Sequence, residues 1–135
     1  MSRLIVALRA VTGLLFLAQL VLGVSFWTGH ALSLMQLHRM LGALFVLSLW
    51  GLTAVCARAG APRAFAIFSA LMGAIVAMFG MAQTQLMPGS DHWMVRVVHL
   101  VLGLAAMAVV GRLSRLVPRL ARTNGRTVAE GHAHA

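Results

Sequence analysis

The chain has almost no acid: Asp91 and Glu130 are the only carboxylate side chains in 135 residues. That excludes a catalytic carboxylate dyad and leaves few oxygen ligands for a metal. Lysine is absent, so all eleven basic side chains are arginine. Cys56 stands alone, which excludes a disulfide within the chain and any zinc or iron–sulfur site built from cysteines. Charged residues make up 10% of the sequence and apolar residues 61%, where typical soluble domains carry roughly 25% charge. A soluble fold this small cannot hide so much apolar surface, so a soluble globular enzyme and a disordered protein are both excluded. No nucleophile–base pair and no phosphate-binding loop is present. The net charge of +9 does not point to nucleic acid, because the arginines fall between apolar runs and not on a polar face.

What the sequence does have is long apolar runs. A hydrocarbon core of ~30 Å needs about 20 apolar residues in a helix. Residues 4–26, 35–57, 62–84 and 93–113 each supply such a run. The runs are continuous and not alternating, so they predict helices and not barrel strands. The first exceeds the apolar stretch of a signal peptide and no small-residue cleavage site follows it, so it is expected to remain as a helix. Short connections make an all-α, integral membrane four-helix up-down bundle over residues 1–113 the expected fold. Pro62 suits the first turn of the third helix and Ser90 or Asp91 the cap of the fourth.

Arginine placement predicts the orientation. Arg3, Arg9, Arg58, Arg63 and the five from Arg112 to Arg126 lie on one side, Arg39 and Arg96 on the other. By the positive-inside rule both termini are expected in the cytoplasm of a multi-pass protein of a bacterial inner membrane. The loops at 27–34 and 85–92 would then face outward, with Trp27 and Trp93 in the outer aromatic belt. Residues 114–135 are expected to form a basic interfacial segment and a disordered tail. Arg112, Arg115, Arg119 and Arg122 recur there at helical spacing, which fits either an amphipathic surface helix or a snorkelling flank. His132 and His134 in the tail are not expected to form a metal site.

An internal repeat carries the chemistry. The second run contains Leu37-His38-Arg39-Met40-Leu41-Gly42 and the fourth Val98-His99-Leu100-Val101-Leu102-Gly103. Both read apolar-His-x-x-Leu-Gly, which suggests two helix hairpins in tandem. The second and fourth helices run in the same direction, with His38 about one turn and His99 about two turns below the outer ends. Two imidazoles at similar depth on diagonally opposed helices can ligate one haem iron from both sides. A bare metal fits less well, since no carboxylate or Cys lies at that level. Gly42 and Gly103, one turn deeper on the same faces, are expected to let a flat ring approach the backbone. Leu41 and Leu102 are expected to pack on that ring. Arg96, at i−3 from His99, and Arg39, beside His38, are candidates for the two propionates. The alternative for both arginines is snorkelling to headgroups. His30 and His92 sit in the outward loops, and no histidine lies near the inner ends of the runs, so a second haem lacks ligands.

Four short-looped helices with a His-x-x-Leu-Gly segment in the second and fourth resemble one half of the haem A synthase family, over roughly residues 4–113, and small bacterial membrane b-type cytochromes. The resemblance implies His38 and His99 as the axial pair of haem b. The synthases carry two such halves and an acidic residue one turn before the histidine, where Leu34 stands here. The expected function is one-electron transfer, alone or as a subunit of a redox complex, with a quinone or a redox protein as partner and no catalytic residues of its own. Two rivals are a cofactor-free accessory subunit of a larger membrane complex, favoured by small residues such as Gly13, Gly23, Gly73 and Gly80, and a carrier of quinone or small solutes.

Overall fold

A computed structural model describes the backbone of residues 2–133 and the side chains of residues 3–116. Four helices follow one another: α1 Ser2–Trp27, α2 Met35–Arg58, α3 Arg63–Ala82 and α4 His92–Ala133, with a 3-10 turn at Leu32–Leu34 leading into α2. No strand occurs among the described residues. Each helix contains a segment long and apolar enough to cross a membrane: Arg3–Trp27, Leu32–Arg58, Arg63–Ala82 and His92–Leu116. Large apolar side chains cover the outside, among them Leu14, Met78 and Met81, each more than 60% exposed. Such a surface is tolerable in lipid and not in water. The chain is therefore an all-α bundle of four helices suited to a bilayer.

The breaks between helices come from local backbone chemistry. Gly29 (φ 79°) follows α1 and Gly60 (φ 92°) follows α2, both left-handed, a region glycine enters without strain. Beyond Gly60, the Ala61 N–H donates to Cys56 O at 3.0 Å, which closes the end of α2. Pro62 lies just before α3 with φ −54° and ψ 129°. It caps that helix in an extended conformation instead of joining its first turn, because a ψ in the β region cannot continue into a helical hydrogen-bond ladder. The turn before α4 closes on backbone bonds, His92 N–H to Gly89 O at 3.3 Å and Met94 N–H to Asp91 O at 3.0 Å. The side-chain cap expected from Ser90 or Asp91 is replaced by this turn. α4 stays helical to Ala133. Arg119, Arg122, His132 and His134 lie outside the residues whose side chains are described, so the expected arginine stripe is described only at Arg112 and Arg115.

Sequential helices pack side by side, and α1 also packs on α4. Across the bundle, α2 touches α4 while α1 and α3 do not approach each other. The cross-section is thus a rhombus with α2–α4 as its short diagonal. That diagonal faces the two histidine-bearing helices toward each other.

Packing is uneven along the bundle. One end, the terminal end, carries the start of α1, the Ala59–Pro62 turn and residue 116 of α4. The other, the loop end, carries the two longer connections. From mid-span to the terminal end the interior is tightly filled by Phe45, Leu49, Leu52, Cys56, Ala106, Val110 and Leu113. Buried hydroxyls there are satisfied by their own helices: Thr53 donates to Leu49 O at 2.8 Å, Ser69 to Phe65 O at 2.7 Å and Ser114 to Val110 O at 2.7 Å. Toward the loop end the picture changes: beyond mid-span, the buried hydrophobic side chains among the described residues are Val76 of α3 and Val95 of α4.

Mid-span, α2 and α3 are locked by Trp50, whose indole N–H donates to Ala70 O at 3.0 Å. Gly73 makes room for that ring, since a Cβ there would lie 2.5 Å from Trp50 Nε1 and 3.1 Å from Cδ1. Gly73→Ala is therefore expected to destabilise the bundle by about 1–3 kcal/mol. Gly13→Ala, whose Cβ would meet only Met107 Cε at 3.9 Å, should be near neutral. Thermal unfolding of both variants in detergent checks the order.

Candidate functional site

α2 and α4 start at Met35 and His92, which puts His38 one turn and His99 two turns into their helices. The structure brings the two rings together, with centroids 6.4 Å apart and planes at 57°. Two imidazoles bound to opposite sides of one metal, each nitrogen about 2 Å from it, have ring centres about 6 Å apart. The observed separation is close to that value, as it is to the spacing of ordinary packed rings such as Phe16 and Phe45 at 6.0 Å.

Each hairpin builds its own half of the site from the same three parts. In the first, Phe26 of α1 meets the His38 ring edge-on at 5.3 Å, and a Cβ at Gly23 would lie 3.9 Å from His38 Cε1. In the second, Phe79 of α3 stacks on the His99 ring at 6.1 Å with planes 13° apart, and a Cβ at Gly80 would lie 3.3 Å from His99 Cε1. A glycine and a phenylalanine from the odd helix thus flank the histidine of the even one. The two halves use the same residue types with different order and ring geometry: Gly23 precedes an edge-on Phe26, and Gly80 follows a stacked Phe79.

Neither ring is satisfied by the protein. His38 Nδ1, His99 Nδ1 and Gln19 Oε1 are buried side-chain atoms with no hydrogen-bond partner, and they complete that class among the described residues. All three belong to one region of the loop-end half. Buried polar groups in folded proteins are almost always paired, and exceptions gather at functional sites. No group of three or more His, Cys, Asp or Glu is placed to hold a metal among the described residues. A two-imidazole donor set is incomplete for a bare zinc or copper ion. It is complete for a metal that brings four in-plane ligands of its own. The residues present therefore fit a haem iron by donor chemistry and ring separation.

The other expected site residues fall differently. Leu41 and Leu102 are half-buried, and Leu102 packs against the terminal-end core. Gly42 and Gly103 are both turned toward α1. A Cβ at Gly42 would lie 2.7 Å from Gln19 Nε2, and one at Gly103 would lie 3.8 Å from Phe16 Cε2. The space beside these glycines is filled by α1 side chains, because α1 crosses the groove between α2 and α4 at that depth. Arg39 and Arg96 are exposed, and the one acid among the described residues, Asp91, is exposed as well. His30 is exposed, with Nδ1 3.1 Å from Thr28 Oγ1, and His92 Nδ1 lies 3.2 Å from Leu86 O. His30 stays in the first loop, and His92, the first residue of α4, turns its ring back to the loop before it.

Gln19, Phe26 and Phe79 were not legible as site residues. Phe26 lies one residue from the end of α1 and Phe79 three from the end of α3, each near a glycine. Their signal is a Gly–Phe pair at the loop end of each odd helix. Two shallow surface grooves, one between α2 and α3 beside Trp50 and one along α3 that includes Met78 and the outer side of Phe79, are not lined by a histidine. The chain matches no described protein family, no curated protein and no solved structure.

If the imidazoles serve a ligand and not the fold, removing both should leave stability intact. His38→Leu with His99→Leu is expected to unfold at the same temperature as the parent or higher, by up to about 2 kcal/mol, since two unpaired buried polar groups disappear. A marked loss of stability in detergent would make the pair a structural element.

Proposed function

We propose that this chain is a membrane b-type cytochrome that holds one haem between His38 and His99 and transfers single electrons. The observation that carries the reading is the pair of half-buried imidazoles 6.4 Å apart, each with a buried Nδ1 that has no protein partner. Haem b supplies a one-electron iron couple when bound between two imidazoles. His38 and His99 hold it from the two even helices. Their strong nitrogen ligation leaves no open position for a substrate, so the role is electron transfer and not catalysis at the metal. Phe26 and Phe79 shield the ligand rings and limit water at their edges. Arg39 and Arg96, exposed at the loop end without an acid beside them in this acid-poor chain, suit the two propionates. One haem near one face of the membrane suits exchange with a quinone or a redox protein at that face, alone or within a larger complex.

The arginine asymmetry supports a location in a bacterial inner membrane with both termini cytoplasmic. Six of the eight arginines whose side chains are described (Arg3, Arg9, Arg58, Arg63, Arg112 and Arg115) belong to the terminal end. The haem then lies toward the outer leaflet. Cys56 is buried, so the parent chain offers no background to thiol labelling. Ser90→Cys is expected to react with an impermeant maleimide added to intact cells. Reaction only after lysis would reverse the orientation.

The spectrum tests the function. Protein produced with ample haem is expected to show a Soret band and the sharp reduced α band of a bis-imidazole haem, with one pyridine haemochrome per chain. His38→Ala and His99→Ala should each abolish or shift these bands, and His132→Ala should not. A purified, folded chain with no bound pigment, co-purifying in fixed ratio with a larger complex, would favour the cofactor-free accessory subunit.

A further inference from the structure

Gln19 interrupts the apolar stretch of α1 from Gly13 to Val24, and its amide is used at one end and idle at the other. Its Nε2 donates to the backbone oxygen of His38 at 2.7 Å. Its Oε1 is buried with no partner. Nothing in the packing of α1 against α2 needs an amide there, since a methionine or leucine would fill the same volume without an unpaired oxygen. The contact is also specifically admitted: a Cβ at Gly42 would lie 2.7 Å from Gln19 Nε2. Gly42 therefore clears room for this amide.

Gln19, Gly23 and Phe26 recur at i, i+4 and i+7, one stripe of α1. All three address His38: Gln19 its backbone, Gly23 its Cε1 and Phe26 its ring. An amide oxygen can only accept a hydrogen bond. The neighbouring unpaired atoms are imidazole nitrogens, and an imidazole that gives a lone pair to a metal carries its proton on the other nitrogen, where it almost always meets an acceptor.

We propose that Gln19 is the positioning residue of His38: its Nε2, admitted by Gly42, fixes the His38 backbone, and its Oε1 accepts the His38 Nδ1 proton through one bridging water. The amide thereby selects the tautomer that keeps the Nε2 lone pair free for a metal. This assignment rests on the proposed haem ligation for its purpose, but the tautomer it fixes belongs to the chain itself and can be read without haem.

The first measurement uses the haem-free parent chain in detergent micelles. Nitrogen-15 NMR of the histidine rings is expected to show the His38 ring proton on Nδ1. In Gln19→Met and in Gly42→Ala that preference should weaken in the same way, and the double variant should add nothing to either single change. With haem, both variants are expected to lose affinity by about 10- to 100-fold, the usual effect of removing a metal ligand's supporting partner. Their low-temperature spectra should report a reoriented axial imidazole.

A parent chain whose His38 carries its proton on Nε2 overturns the proposal, whatever the variants do. So does an unchanged tautomer and haem affinity in a folded Gln19→Met, which would reduce the amide to a staple between α1 and α2. A parent chain that takes up no haem removes the proposed cytochrome function but leaves the tautomer measurement decisive for Gln19.

Discussion

Two half-buried imidazoles held 6.4 Å apart in an apolar bundle, each with a buried Nδ1 that no protein group bonds, are the constraint around which the rest of the structure is arranged. Unpaired polar nitrogens in lipid-buried surroundings are unfavourable, and no interaction within the chain offsets them. The fold nevertheless supplies everything needed to keep them opposed. The short α2–α4 diagonal aims the even helices at each other. Each odd helix contributes a glycine so that its neighbour's ring can lie close, and a phenylalanine to flank it.

The division of labour along the bundle follows from the same constraint. The half toward the terminal end is packed with leucine, valine, alanine and phenylalanine, and its hydroxyls bond to their own helices. Even Cys56 lies with Sγ 3.6 Å from Leu113 O, tying α2 to α4. The half toward the loop end contains the unpaired atoms and little buried hydrophobic surface. Stability and function are thus set at different depths, so a site that is poorly satisfied by protein need not unfold the bundle that presents it.

Much of this was legible in the sequence. The four spans follow from apolar runs whose length the bilayer sets, and helices α1 to α3 and the start of α4 fall within a few residues of them. His38 and His99 could be paired because equal helix direction and similar depth are fixed by topology alone. What could not be read was the rotation of the odd helices. α1 and α3 are apolar nearly all round, so no polar stripe sets their phase, and the facing of Gly23, Phe26, Phe79 and Gly80 toward the histidines had no periodic signal. The same holds at Gly42, where a missing Cβ suggests room for a flat ring and the structure places the Gln19 amide beside it. Pro62 and the α3–α4 turn differ from expectation by one position and by backbone in place of side-chain bonding.

The most direct test of the central claim is the low-temperature electron paramagnetic resonance spectrum of the oxidised, haem-loaded chain. The account predicts a low-spin ferric signal of two imidazole ligands that is lost when either His38 or His99 is replaced by alanine. A high-spin signal in the parent chain, or a low-spin signal that survives both replacements, would contradict it.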